Sequence, residues 1–464
     1  MIFEDTGRFG SKDACRTADK SISFTDMESL SDALAKRLCA YAGKRVVILG
    51  EDERVPAVMT ACLKAGVCYV PCGGFVPEKR LETVIEGAGA EAVITTDACA
   101  GVHSAGIDAF TVEQILSMPE AGTRKTDRDE AYAIFTSGST GRPKGVVVGR
   151  RNLENFAAWF SDIPAIRTVG DGTAVCAAPY SFDLSVAPLV HMWHSGGTYF
   201  YVTRGDIADA VRLYDALGAS EGSLLVATPT FADYCLCDAA FGENMMPRLK
   251  TVFFCGETLR CKTAKRLFER FPGVRIVNAY GPTEATCAVC GSEVDENCEG
   301  ELPAGDVSEA AVDMLVNSDG ILTLKGASVA KGYCGGERGG FTGDGEYVTG
   351  DRCEIRGGKL YLHGRADRQI KIRGYRVELD EIENAMEGLD YVAGASVSVI
   401  KNKEGLPMFL CAEAAAKNGT KEADLKRDLM KMLPEYMIPK AIKLTNAPEM
   451  NENGKKMRTF AESR

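Results

Sequence analysis

FTSGSTGRPKGV, Phe135–Val146, continues the apolar run AYAIF, Ala131–Phe135, and together they read as a buried strand that opens into a loop. The stretch holds three glycines, four hydroxyl residues and Lys144. Glycines let the backbone turn with its N–H groups inward, hydroxyls donate to anionic oxygens, and the lysine adds a point charge. A polyphosphate held at a strand end is the expected guest. Spacing excludes two familiar phosphate loops. Counting from Gly138, Pro143 stands where the Walker pattern needs its second glycine, and Thr140 where the dinucleotide fingerprint needs one. Neither Ser137 nor Ser139 lies in a G-x-S-x-G nucleophile elbow.

Outward from the loop, strands and helices alternate. Upstream, RVVILG (Arg45–Gly50), VCYVP (Val67–Pro71) and AEAVITT (Ala90–Thr96) read as apolar strands, with helices over Val55–Ala65 and Leu81–Gly87. A first helix within residues 22–43 is expected to be capped by Thr25. Downstream, helices over Asn152–Trp159, Val186–Ser195, Ile207–Leu217 and Lys265–Phe271 alternate with TAVCAAP, GTYFYV, SLLVATP, LKTVFFCG and RIVNAYG. Such alternation predicts parallel sheets covered on both faces. From about Leu302, short glycine-punctuated strands predict an antiparallel sheet or small barrel, with Gly335–Glu346 as an exposed loop. After Arg365 come a hairpin, a helix, two strands and a helix over Lys421–Met432.

The expected class is therefore α/β: a large N-terminal domain of parallel-rich αβα sheets plus a small β-barrel region, residues 1–366, and a small mobile α+β C-terminal domain, residues 367–464. A chain of 464 residues exceeds one ordinary hydrophobic core, which agrees with that division. The net charge of −11 argues against nucleic acid as a partner. It is unevenly spread: residues 368–464 hold 17 Lys+Arg against 15 Asp+Glu, the rest 37 against 50. No apolar run reaches the roughly 18 residues of a membrane span, and the first residues lack a signal peptide's apolar centre. A cytoplasmic protein with no membrane insertion is expected. Most of the 17 cysteines are scattered singly through apolar runs, as reduced buried thiols would be, and Cys287/Cys290 form a C-x-x-C with no second pair at zinc spacing. His191 and His194 read as packing residues.

Eight motifs in series carry a resemblance. They are LKAGVCYVP (Leu63–Pro71), FTSGSTGRPKGV, FDLS (Phe182–Ser185), NAYGPTEAT (Asn278–Thr286), TGD (Thr349–Asp351), GRADRQIKIRGYRVELDEIE (Gly364–Glu383), LPEYMIP (Leu433–Pro439) and NGK (Asn453–Lys455). In this order, over nearly the whole chain, they resemble the core motifs of the adenylate-forming superfamily of amino-acid adenylation domains, acyl-CoA synthetases and luciferases. FDLSV, VATPTFADYCLCDAAF (Val226–Phe241) and FFCGETL (Phe253–Leu259) resemble most the branch that ligates D-alanine to a D-alanyl carrier protein.

The resemblance implies ATP and Mg²⁺ as cofactors, D-alanine as substrate and a phosphopantetheinylated carrier protein supplied in trans, the chain ending soon after Lys455. The implied product route is D-alanylation of a (lipo)teichoic acid-type cell-wall polymer. A stand-alone peptide-synthetase-type enzyme for glycine or L-alanine remains the alternative. Thr136, Ser137, Gly138, Thr140 and Lys144 are implied to hold the β,γ-phosphates. Asn278, Ala279, Tyr280, Gly281, Pro282 and Thr283 wrap adenine and α-phosphate, Tyr280 stacking on the base and Thr283 donating to phosphate. Glu284 reaches the metal ion, Asp351 accepts from the ribose hydroxyls, and Arg365 contacts the ribose or a phosphate. Asp183 pairs with the substrate ammonium, its expected partner being that ligand because an unpaired buried carboxylate is costly. Cys255, Ala279, Ala187 and Cys287 line a pocket with room for a methyl group. Lys455, Glu284 and Thr283 are the expected catalytic residues, Lys455 bridging carboxylate and α-phosphate, and Asp367 is the expected hinge. The tail departs from the resemblance: NGKKMR has Met457 in place of an aspartate, and Lys456 is a second candidate beside Lys455.

Overall fold

A computed structural model describes residues 1–74, 76–96, 106–122, 129–138, 142–343, 345–402, 405–417 and 419–445. The chain divides into two compact units. The first comprises Met1–Gly74, Ala88–Phe135 and Gly145–Ala366, and the second Phe75–Gly87, Thr136–Lys144 and Asp367–Arg464.

Alternating strands and helices build two parallel-rich sheets in the first unit. In the seven-stranded sheet, Arg45–Leu49 lies between Cys68–Cys72 and Ala92–Thr95, parallel to both, and Glu130–Thr136 runs parallel to Cys68–Cys72 on the far side. The eight-stranded sheet has the order Cys290–Glu293, Arg275–Tyr280, Thr251–Phe254, Gly222–Ala227, Thr173–Cys176, Tyr199–Tyr201, Asp13–Arg16, Ser21–Ser23. Only the pairings at its two ends are antiparallel. Gly222–Ala227 is buried at every residue and Arg45–Leu49 at all but its first, as strands covered on both faces must be.

Helix Val55–Ala65 has ten buried residues of eleven, so it is apolar all round and lies inside the molecule. It shares a core with helices Phe24–Leu38, Arg150–Asp162 and Val186–Ser195. Trp193, fully buried, donates its indole N–H to Thr60 Oγ1 at 3.0 Å, so the one polar atom of its ring is satisfied. An antiparallel six-stranded sheet follows, with Leu322, Leu324, Tyr347 and Leu360 in its own core.

In the second unit, the hairpin Gln369–Ile372/Tyr375–Glu378 leads into helix Leu379–Glu387. Strands Val392–Lys401 and Pro407–Ala416 pair antiparallel, and Ala441–Thr445 joins them parallel. Helix Glu422–Leu429 buries Leu425 and Leu429 in the same core as Ile382 and Met386. Helix Glu78–Ala88 and the loop 136–144 fall largely within this unit.

Three expectations are corrected. The first helix is capped by Ser23, not Thr25: Ser23 is extended and its Oγ accepts from Asp26 N, while Thr25 already lies in the first turn. The helix read over Ile207–Leu217 is two, Arg204–Ala208 and Ala210–Ala219, because Asp209 leaves the helical region and caps Val211 and Arg212 with its carboxylate. Within Gly335–Glu346, Phe341–Gly343 is a strand paired with Glu346–Arg356, and Phe341 packs between Tyr333 and Tyr347. Among the described residues, no helix is long and apolar enough to cross a membrane.

Leu63 is fully buried in the helix that fills this core. Leu63→Ala is expected to cost about 2–5 kcal/mol, measured as a lowered urea midpoint, because the surrounding helices cannot collapse into the space.

Candidate active site

The strand Thr173–Cys176 has Tyr199–Tyr201 on one side and Gly222–Ala227 on the other, so strand order reverses here. Open parallel sheets form their ligand crevice outside the carboxyl ends of strands at such a point. Three of those ends deliver the candidate residues. After Cys176 the chain runs to the short turn Asp183–Ser185, with Asp183 buried. Cys255 directly follows the strand Thr251–Phe254. Arg275–Tyr280 runs into Gly281, Pro282 and the turn Thr283–Ala285.

Side chains from these ends meet. Thr283 Oγ1 donates to Asp183 Oδ2 at 2.6 Å. Cys255 Sγ donates to the Cys287 carbonyl at 3.8 Å, and Ala187, Cys255, Ala279 and Cys287 are buried in one apolar cluster. Burial, then the charge of Asp183, then Cys255 push the Cys287 thiol far above its ordinary pKa, so it is a neutral wall beside the carboxylate.

The turn that carries them is strained. Thr286 and Cys287 are successive non-glycine residues at φ 60° and 70°. Such backbone persists only where its surroundings over-determine it. Thr286 Oγ1 donates to the Ser328 carbonyl at 2.7 Å, and Ala288 N returns to the Thr286 carbonyl at 2.9 Å. Close packing adds to this: a Cβ on Gly281 would lie 2.5 Å from Ala288 Cα and 2.7 Å from the Cys287 carbonyl oxygen.

Among the residues expected at the nucleotide, Asp351 and Arg365 face each other across paired strands. Arg365 Nη1 donates to Asp351 Oδ1 at 2.6 Å and Nη2 to the Thr349 carbonyl at 3.1 Å. Tyr280 OH donates to Asp351 Oδ2 at 2.5 Å. Burial, with the charge of Asp351 beside it, pushes the Tyr280 phenol far up and keeps it a donor. Asn278 Nδ2 donates to the Pro303 carbonyl at 2.7 Å. Glu284 is fully buried, and its Oε1 accepts from Tyr333 OH at 2.7 Å.

The phosphate-loop candidates belong to the second unit. Thr136 ends a strand and donates from Oγ1 to the Lys144 carbonyl at 3.4 Å. Ser137 Oγ donates to the Arg376 carbonyl at 3.0 Å, and Gly138 N to Glu381 Oε2 at 3.3 Å. Gly138 has no room for a side chain, since a Cβ would lie 2.0 Å from the Arg142 carbonyl oxygen. Lys144, half-buried, opens the next strand. The second unit resumes at Asp367, whose Oδ1 accepts from Gln369 N at 3.2 Å. Thr140 and Lys455 lie outside the described residues.

Two assignments differ from expectation in this geometry: the Thr283 hydroxyl is given to Asp183, and Asp183 has a protein partner. Three neighbours, Tyr333, Arg80 and Glu381, were not anticipated. Tyr333 sits in a KGY step, which carries no chemical signature, and the pairing of Arg80 with Glu381 spans some 300 positions in sequence. Cys287 and Cys290 are free thiols, and no group of three or more His, Cys, Asp or Glu among the described residues forms a metal site. His191 is packed, its Nε2 2.9 Å from the Gly172 carbonyl, and burial lowers its pKa.

The sequence profile of the AMP-binding enzyme family matches residues 2–334. The chain belongs to the AMP-binding enzyme family. A D-alanine–D-alanyl carrier protein ligase of Bacillus licheniformis is 34% identical to it, over 94% of this chain and 93% of that protein. A ligase of the same name from Bacillus cereus is 33% identical, again over 94% and 93%. In fold, the chain is similar to a Vibrio cholerae adenylation domain solved with glycyl-adenosine-5′-phosphate, at TM-score 0.82 and 19% identity, covering 98% of this chain and 95% of that one. The family profile takes in the strand ends that carry Asp183, Cys255 and Thr283.

Gly281→Ala is expected to destabilise the protein by about 1–3 kcal/mol, because backbone rather than a flexible side chain must yield. A thermal midpoint unchanged within error contradicts this packing.

Proposed function

We propose that this enzyme adenylates D-alanine with ATP and transfers the alanyl group to the phosphopantetheine thiol of a separate D-alanyl carrier protein. The observation that carries the reading is a buried carboxylate, Asp183, whose charge reaches the Cys287 thiol, with Cys287, Cys255, Ala279 and Ala187 buried in one apolar cluster. A small side chain fits such walls, and Asp183 would neutralise an α-ammonium that a fatty acid or acetate lacks. Likeness to the two Bacillus ligases supports D-alanine and the carrier protein. Their likeness alone supports onward transfer to a (lipo)teichoic acid-type polymer. A cytoplasmic site agrees with ATP as substrate and with the free state of the described cysteines.

In the first half-reaction, an oxygen of the substrate carboxylate forms a bond to the α-phosphorus, and the bond to the β-phosphate bridging oxygen breaks, releasing pyrophosphate. In the second, the thiol sulfur bonds to the alanyl carbonyl carbon and AMP leaves. Asp183 orients the amino acid. Thr283 orients Asp183, and its one hydroxyl proton turns to the α-phosphate only when the substrate ammonium takes its place on the carboxylate. Asp351 accepts from the ribose hydroxyls, with Tyr280 and Arg365 holding its two oxygens in place. Tyr280 also presents its ring to the base, while Asn278 braces the turn through Pro303. The loop Thr136, Ser137, Gly138, Thr140 and Lys144 holds the leaving phosphates. Lys455 bridges carboxylate and α-phosphate in the first step and is withdrawn for the second by rotation at Asp367. Preorganised donors of this kind are worth most where charge develops.

Mg²⁺ fits the donor set, since Glu284 is a fully buried carboxylate and, among the described residues, no group of three or more His, Cys, Asp or Glu competes as an all-protein cage. A hard cation held by one carboxylate and by substrate phosphates is the usual arrangement for magnesium. When bound, it supplies charge neutralisation for the polyphosphate.

ATP–pyrophosphate exchange over a panel of amino acids tests the reading, with D-alanine expected to support the fastest exchange. Preference for glycine or L-alanine would instead favour a peptide-synthetase-type activator. Asp183→Asn is expected to lower D-alanine-dependent exchange by at least about a hundredfold while ATP binding survives, because the ammonium loses its counter-charge. Cys255→Gly is expected to relax discrimination between D- and L-alanine, and an unchanged ratio of kcat/KM values rejects Cys255 as the chiral wall.

A further inference from the structure

Two phosphate donors of the loop are already engaged by acceptors elsewhere in the second unit. Ser137 Oγ donates to the Arg376 carbonyl, on the hairpin, and Gly138 N to Glu381 Oε2, on helix Leu379–Glu387. The other oxygen of Glu381, Oε1, accepts from Arg80 Nη1 of helix Glu78–Ala88. The pair is deeply buried, the Glu381 side chain being 2% exposed and that of Arg80 8%. A buried ion pair gains little stability over well-packed apolar residues, so its presence here asks for another role. Chemically, Glu381 offers the loop what a phosphate offers: an anionic oxygen accepting from a backbone N–H in a water-poor setting. Beside it lies a cleft of about 210 Å³ lined by Arg80, Thr83, Arg142, Pro143 and Glu381, so the loop has polar space next to the contact.

We propose that Glu381, held by Arg80, is a positioning residue that occupies the phosphate loop as a surrogate phosphate, so that ATP and this carboxylate compete for the loop. The inference rests on the proposed adenylation reading. Because a ligand's apparent affinity falls by the fraction of protein in the competent state, the contact weakens ATP binding. By the same logic it favours the arrangement that remains once pyrophosphate has left. Glu381 thus opposes the first half-reaction and supports the second.

Opposite effects on the two half-reactions distinguish this role from a merely structural one. In Glu381→Gln the amide can still accept from Gly138 but brings no charge. The KM for ATP in exchange is expected to fall, on the order of tenfold, and transfer from preformed alanyl-adenylate to the carrier thiol to slow by a similar factor. Arg80→Lys, which keeps the pair, should stay near the parent in both. Since Glu381→Gln leaves Arg80 buried without its counter-charge, the double variant Glu381→Gln/Arg80→Met provides a second route to the same split. A KM for ATP that rises or stays level in both the single and the double variant overturns the proposal, as does loss of both half-reactions in parallel. Parent protein with no exchange on any amino acid overturns the adenylation reading instead. In that case, equilibrium ATP binding to parent and Glu381→Gln decides the competition: tighter binding by the variant upholds it and equal binding ends it.

Discussion

The hydrogen bond from Thr283 Oγ1 to Asp183 Oδ2 joins two loops that leave one sheet at different strands. Asp183 comes from the end of Thr173–Cys176 and Thr283 from the end of Arg275–Tyr280, with Gly222–Ala227 and Thr251–Phe254 lying between them. Burial makes a carboxylate costly unless donors meet it, and Thr283 is one donor that the sheet brings to Asp183. The contact constrains how the turn after Tyr280 leaves the strand. Gly281 must be a glycine because the turn doubles back against Cys287 and Ala288. The left-handed backbone at Thr286 and Cys287 then completes the return into the antiparallel strand Cys290–Glu293.

The same economy governs the second buried carboxylate. Glu284 follows Thr283 on the same turn, yet it is satisfied from another direction, by Tyr333. Tyr333 lies on a two-residue strand paired with Val146, in the strand that leaves the phosphate loop. A one-turn segment thus reaches Asp183 through Thr283 and, through Glu284, the Tyr333 whose strand pairs with Lys144–Gly149. Short rigid turns at strand ends hold neighbouring side chains to sub-ångström tolerance better than a long loop does, which suits a site whose groups must act together.

Much of this was legible in the sequence. Val55–Ala65 and Val186–Ser195 begin and end where periodicity and glycine placed them, since apolar residues all round and a following Gly leave no ambiguity. The central strands were equally plain because burial on both faces requires continuous apolar runs. Ser21–Ser23 and Asp108–Thr111, at sheet edges, and Asp13–Arg16, next to an edge, were missed, being short strands with polar or half-exposed residues. The break at Asp209 was hidden because hydrophobic spacing continues across it, and a cap is decided by one side chain's geometry rather than by period. Candidate site residues were named where glycines, prolines and acids cluster after a strand. Their partners Tyr333 and Arg80 were not, because both are distant in sequence and chemically ordinary.

What local reading cannot supply is the order in which donors and acceptors are matched. Asp351 is adjacent to Gly350, near Arg365 across a strand pair, and far from Tyr280 in sequence, yet both of its oxygens are taken, one by each partner. A carboxylate held on both sides has lost its rotational freedom before any ligand arrives, and each fixed oxygen keeps a second lone pair to offer. Tyr280 is driven to remain protonated by the same burial that makes its hydroxyl valuable as a donor. Replacing it with phenylalanine would therefore free one side of Asp351 without opening the core, because the ring itself fills the space among Ala285, Val289 and Leu322. The consequence would fall on orientation and not on packing, which is the distinction between a residue that builds this site and one that merely borders it.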